Sequence, residues 1–96
     1  MPIRREYWSK IELIYDDEVV NRIAKHNVSI RQVLHVLRHS KKIAIKLKSD
    51  HYAIIGESYG RCLVIIITRV KKNKFLLRTA RDCSEKEKKR YRKFKK

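Results

Sequence analysis

The sequence predicts an α+β domain in the order β-α-α-β-β-β-β-α, and three observations predict it. Between residues 17 and 39 the apolar residues recur at helical spacing. From Lys42 the period changes to two, with turn residues between short apolar runs. From Ser84 onward the chain is almost wholly charged but keeps a helix start signal. At 96 residues this is one domain, 1–96, with an N-terminal extension over 1–10 and a basic C-terminal helix over 84–96.

The first strand is read at Ile11, Leu13 and Tyr15. Asp16-Asp17-Glu18 then places negative charge where a helix dipole favours it, and Val19, Val20, Ile23 and Ala24 form an apolar stripe. Asn27 tolerates the left-handed conformation that ends such a helix, and His26 places a cation near its C-terminus. Ser29 and Gln32 match a capping box, and Val28 with Val33 matches its hydrophobic staple. Ile30, Val33, Leu34 and Leu37 line the second helix, with His35, Arg38 and His39 elsewhere on the cylinder.

Ile43, Ile45 and Leu47 alternate with Lys42, Lys46 and Lys48, as in a strand with one wet, basic face. Tyr52 to Glu57 is the next strand. Cys62 to Ile67 is apolar on both faces, so it is the central strand, and Phe75 to Arg81 is the last. Connections this short imply an antiparallel meander, with two helices on one face. In an unbulged last strand Phe75, Leu77, Thr79 and Arg81 share a face, opposite Leu76, Arg78 and Ala80. Ser84 and Glu87 make a second capping box, and Glu87, Tyr91 and Phe94 give the last helix one narrow docking face.

Lys and Arg number 26 against 10 Asp and Glu, a formal net charge of +16. Such a surface needs a polyanion or an acidic protein to neutralise it, and nucleic acid is the first expectation. No amphipathic helix carries a large apolar face, so a membrane surface is not expected. The start lacks an export signal and no apolar run is long enough to span a bilayer, so a cytoplasmic location is expected. Cys62 and Cys83 are then expected as free thiols, and with no CxxC or clustered His no metal site is expected.

Three blocks resemble the BrnT-like toxins of type II toxin–antitoxin systems, within the RelE/ParE superfamily. They are LIYDDEVVNRIAKHNVSIRQVLHVL, GRCLVIII and TARDCSEKEKKRY. They run from about residue 11 to residue 94 in the family's order, with Asn27 in place of the usual glycine. The resemblance implies a RelE-like fold and an endoribonuclease acting on mRNA without metal or cofactor. It also implies a cognate antitoxin, usually a DNA-binding protein, and a homodimer or toxin–antitoxin hetero-oligomer.

Cleavage without metal uses the substrate's 2′-hydroxyl, so a site needs a base, an acid and fixed cations around the phosphate. Arg81 is the first candidate for a phosphate clamp, because it ends a strand beside a helix N-terminus. Its alternative role is an ion pair with Asp82, Glu85 or Asp16 that holds the last helix. Arg61 and Arg78 are the other candidates, each alternatively a solvated surface residue. For proton transfer the candidates are His51, Glu57, Lys88 and Tyr91. Their bland readings are an exposed turn residue, a strand-end carboxylate, one lysine among many, and core packing. Glu87 is read as a capping residue. Lys46, Lys48, Lys72, Lys74, Lys88 and Arg92 are expected to follow backbone phosphates. Trp8, Tyr52 and Tyr59 can stack on bases, Trp8 alternatively packing on the sheet. Two further readings remain: a non-catalytic RNA- or DNA-binding protein, and a module for an acidic protein partner.

Overall fold

The structure is a computed structural model that describes Trp8 and residues 10–95, so most of the 1–10 extension lies outside the described residues. The elements follow the predicted order. They are β1 (Glu12–Ile14), α1 (Asp17–Ala24), α2 (Ile30–His39), β2 (Lys42–Lys48), β3 (His51–Ser58), β4 (Arg61–Lys71), β5 (Lys74–Asp82) and α3 (Glu85–Lys95).

Local chemistry sets the helix ends. The Asp16 carboxylate accepts from the Val19 N–H at 2.9 Å, and Asn27 closes the segment at φ 59°. At the start of α2, Ser29 Oγ accepts from the Gln32 N–H at 3.3 Å, while Gln32 accepts from the Ser29 N–H at 3.0 Å. Each partner satisfies an amide that would otherwise be an orphan donor of the first turn.

The sheet order is β1-β5-β4-β3-β2, with β4 at the centre as its two-sided apolar run predicts. Strands β2 to β5 form the expected antiparallel meander. β1 departs from it: it pairs in parallel with β5, Leu13 opposite Phe75, so the sheet is mixed. The long connection through α1 and α2 lets the chain cross the sheet before β2, and nothing local in β1 specifies its partner.

Each face of the sheet carries its own core. On one face α1 and α2 pack Val19, Ile23, Val33, Val36 and Leu37 over Leu63, Ile65 and Ile67. Trp8 and Tyr52 belong to this layer, edge-on with centroids 5.8 Å apart; Trp8 is buried, as its packing role expects, and Tyr52 is half-buried. On the other face α3 sets Tyr91 against a smaller cluster of Ala53, Ile55, Val64 and Cys83. Phe94, expected to dock beside it, is 47% exposed. Lys42, expected on a wet face, is buried, because the short link from α2 starts β2 beneath the helix end.

A bulge at Arg78 changes the parity of β5: Ile66 opposes Thr79, but Ile67 opposes Leu77. Phe75, Leu77 and Ala80 therefore share the α1–α2 core. Arg81 and Cys83 fall instead on the α3 side, against the unbulged alternation. The same parity change overturns the expectation of free thiols. Cys83 lies beside Cys62 with Cα atoms 5.5 Å apart, and the two form a disulfide.

Gly56 marks the closest approach of α2 to the sheet. A Cβ built there would lie 2.5 Å from Val36 Cγ1. Val36 is fully buried and cannot swing out. Gly56→Ala should therefore destabilise the domain by about 1–3 kcal/mol, the range for overpacking a tight core. Thermal melts should show a loss on the order of 5–15 °C. An unchanged midpoint would mean that α2 is free to shift.

Candidate functional site

The β3–β4 hairpin and α3 enclose a cleft of about 580 Å³. Its lining includes Glu57, Arg61, Cys62, Asp82, Lys88, Tyr91 and Arg92. Five of the residues singled out by their chemistry thus converge: Glu57, Arg61, Lys88, Tyr91 and Arg92. Topology brings them together. Glu57 opposes Cys62 across β3–β4, beside the Tyr59-Gly60 turn. Only Cys83 and Ser84 separate β5 from α3, so the helix folds straight back over the sheet.

Arg61 is held by four hydrogen bonds. Its Nε and Nη2 donate to the Asp82 carboxylate at 2.6 and 3.1 Å. Nη2 also donates to the His26 carbonyl at 2.8 Å, and Nη1 donates to the Asn27 carbonyl. It clamps the end of α1 to the sheet and turns the Asp82 side of the cleft into a fixed ion pair. The hydrogen bond from Arg61 holds the Asp82 carboxyl below its usual range and raises the Arg61 guanidinium in turn.

Arg81 does not line the cleft. Its Nη1 and Nη2 donate to the two Glu87 carboxylate oxygens at 2.8 and 3.0 Å, and Nη1 also donates to the Asp82 carbonyl. Glu87 meanwhile accepts from the Ser84 N–H at 2.7 Å, completing the capping box. Arg81 is thus a strut to the last helix. Its partner is Glu87, not the Asp82, Glu85 or Asp16 side chains considered from sequence.

The hydrogen bonds from Arg81, then those from Ser84, hold the Glu87 carboxyl at about 2, against an opposing effect of burial. Its folded pKa lies below its unfolded one, so the stability this pair contributes is complete above the ordinary glutamate range. That contribution is lost as pH falls toward 2. Melts between about pH 5 and pH 2 should show the midpoint dropping, and Arg81→Gln should flatten that drop while lowering stability at neutral pH by about 1 kcal/mol. Parallel profiles for the two proteins would disprove the coupling.

The other candidates lie apart. Arg78 is exposed at the bulge, where its carbonyl accepts from Arg22 at 2.9 Å. His51 sits at the opposite end of β3, its Nδ1 2.8 Å from Thr68 Oγ1. Six strand residues place it roughly 20 Å from Glu57. Tyr91 is buried and donates its hydroxyl to the Lys41 carbonyl at 2.8 Å, which anchors α3 to the start of β2.

The lysines divide between the two ends of the sheet. Lys88 and Arg92 line the cleft, Lys88 with its Nζ 3.4 Å from Glu85. Lys46, Lys48 and Lys72 are exposed toward the far end, and Lys74 pairs there with Glu12 at 3.7 Å. Among the described residues no three His, Cys, Asp or Glu side chains group as metal ligands, and no helix is long and apolar enough to cross a membrane.

Tyr59, read from sequence as able to stack on bases, lies outside the lining of the cleft, and its pairing with a helix was missed: it stacks on His35 of α2, with centroids 4.5 Å apart and planes at 17°. Arg31, His35 and His39 at i, i+4 and i+8 were a visible helical stripe, but nothing local pointed to Tyr59 as its cover.

No family model matches the chain, and no curated protein matches it. Among solved structures, the 1.1 Å crystal structure of the Brucella abortus ribonuclease toxin, BrnT, superposes with a TM-score of 0.62 at 22% identity, covering 78% of this chain and 99% of that one. The chain therefore has the fold of BrnT, a mixed sheet between two helices and a C-terminal third.

Proposed function

We propose that the protein is the toxin of a type II toxin–antitoxin system, an endoribonuclease that cleaves mRNA without a metal in the cleft between α3 and the β3–β4 hairpin. The convergence of Glu57 with Lys88 and Arg92 in that cleft carries this reading, and the BrnT fold supports it. In this mechanism Glu57 takes the proton of a ribose 2′-hydroxyl. The 2′-oxygen forms a bond to the adjacent phosphorus as the P–O5′ bond breaks. Lys88 gives a proton to the departing 5′-oxygen, leaving a 2′,3′-cyclic phosphate and a 5′-hydroxyl. Arg92 holds the phosphate oxygens while negative charge builds on them, beside the fixed Arg61–Asp82 pair. Arg81 and Tyr91 position the cleft by fixing the helix that supplies Lys88 and Arg92.

The partners follow from the same reading. RNA is the substrate, and a DNA-binding antitoxin encoded with the toxin covers the basic surface, in a toxin–antitoxin hetero-oligomer. A net charge of +16 suits both.

A second reading is a non-catalytic nucleic-acid-binding protein of this fold. It is favoured by one observation: Arg61 and Arg81, the guanidinia best suited to a phosphate, are both engaged by carboxylates. Incubation of the purified protein with RNA in EDTA separates the two. Fragments ending in a 2′,3′-cyclic phosphate are expected. Salt-dependent binding that leaves RNA intact at enzyme excess would favour the second reading.

A further inference from the structure

Tyr59 occupies a position that the fold itself does not ask of a tyrosine. It is the first residue of a two-residue hairpin turn, with φ 49° followed by Gly60 at φ 83°. Such turns favour Asn, Asp or Gly there, and a bulky side chain in the left-handed region is strained. Tyr59 is also 81% exposed, so it buries little in return. One face of its ring lies on His35, which leaves the other face open to solvent.

The surroundings of that open ring are basic and concave. Arg31, Leu34, His35, Arg38 and His39 of α2 line with Tyr59 a depression of about 620 Å³. Among the described residues no carboxylate belongs to its lining. Arg31 and Arg38 are exposed at its border. An aromatic face beside exposed guanidinium groups is the arrangement on which unpaired bases stack while arginines hold the neighbouring phosphates.

Its location links it to the cleft. Tyr59 lines this depression and Gly60, the next residue, lines the cleft. A Cβ built on Gly60 would meet nothing within 4 Å, so the crest of the turn is unobstructed. We propose that Tyr59, stacked on His35, is a nucleobase subsite for single-stranded RNA whose backbone crosses the β3–β4 turn from the cleft to α2. The inference rests on the RNA reading of that cleft and extends it: the substrate is an unpaired segment several nucleotides long. A base seats on Tyr59, and Arg31 and Arg38 take the phosphates on either side.

The test uses a labelled single-stranded RNA of about ten nucleotides, a length within the span of such sites, carrying 2′-O-methyl groups throughout so that it stays intact. Tyr59→Asn suits the turn and should keep or raise the melting temperature. It should weaken binding of this probe about tenfold, within the range for one stacked base. Tyr59→Trp should restore it. Cleavage of an unmodified dinucleotide, which reaches only the cleft, should be the same in Tyr59→Asn and wild type. Equal probe affinity in the two proteins would overturn the subsite. So would a Tyr59→Asn defect confined to binding of a protein partner. If no RNA is cleaved by either protein but the tenfold binding loss stands, the nuclease reading fails and the stacking subsite survives.

Discussion

Glu57→Gln should lower RNA cleavage by about 10²- to 10⁴-fold, roughly 3–5 kcal/mol of transition-state stabilisation, while leaving RNA affinity within about twofold. The expectation follows from what the substitution removes. Glutamine keeps the shape and the hydrogen-bonding reach of the side chain but cannot accept a proton at neutral pH. Glu57 lies on the α3 side of β3, across from Cys62, in the cleft that also holds Lys88 and Arg92. The neighbouring cations are the groups that would hold the phosphate, so binding should persist without the base. Lys88→Ala should differ in kind, lowering both affinity and rate, because an ammonium there serves as phosphate contact and as acid. Glu18→Gln is the matched control. That carboxylate is exposed on α1, paired with Arg22 at 3.3 Å, and outside the cleft. Single-turnover cleavage of a labelled RNA at saturating protein measures the chemical step. Wild-type rates in Glu57→Gln would remove this residue from the mechanism and return the cleft to a binding role.

The comparison between sequence and structure divides along the range of the interactions involved. Capping boxes at Ser29/Gln32 and Ser84/Glu87 were legible because every atom lies within four residues. The change of period at Lys42 was legible because alternation is itself local. The parity of β5 was not, since the bulge at Arg78 is decided by how β5 registers on β4. That single residue accounts for the face taken by Arg81 and for the proximity of Cys62 and Cys83. The parallel pairing of β1 was hidden for a related reason: three residues of strand carry no mark of their neighbour.

The candidate site shows the same division. Glu57, Lys88 and Arg92 were each chosen for their chemistry, and the fold gathers them. Whether a guanidinium faces a ligand or a carboxylate depends on contacts that composition does not encode. Arg61 illustrates this, since its three anchors come from two residues of the turn after α1, His26 and Asn27, and from Asp82 at the end of β5. Tyr59 and His35 illustrate it for rings, because a hairpin turn and a helix face meet only in the folded chain.

Reduction of the Cys62–Cys83 disulfide should destabilise the domain by about 3 kcal/mol. The bridge closes a loop of 21 residues in the unfolded chain, and the entropy removed from that state scales with the logarithm of loop length. For a domain of this size the midpoint of thermal unfolding should fall on the order of 10–20 °C under dithiothreitol, and Cys62→Ser with Cys83→Ser should reproduce the reduced value without reductant. The fold should survive the loss, because the bridge is one of several ties on the last helix. The Cys83 N–H still donates to the Cys62 carbonyl at 3.1 Å, Arg81 still holds Glu87, and Tyr91 still reaches Lys41. The effect on activity should be smaller than the effect on stability, but of definite sign. Cys62 lines the cleft, and Cys83 leads into the helix that carries Lys88 and Arg92. Releasing the bridge frees the root of that helix, so the two cations are held less firmly over Glu57 and cleavage should slow. Two reactive thiols per chain in the native, unreduced protein, with no shift of the midpoint on adding reductant, would show that the bridge does not form. A reducing compartment would hold the chain in the dithiol form. The melting difference between the two forms therefore also measures how much of the domain's stability depends on where it folds.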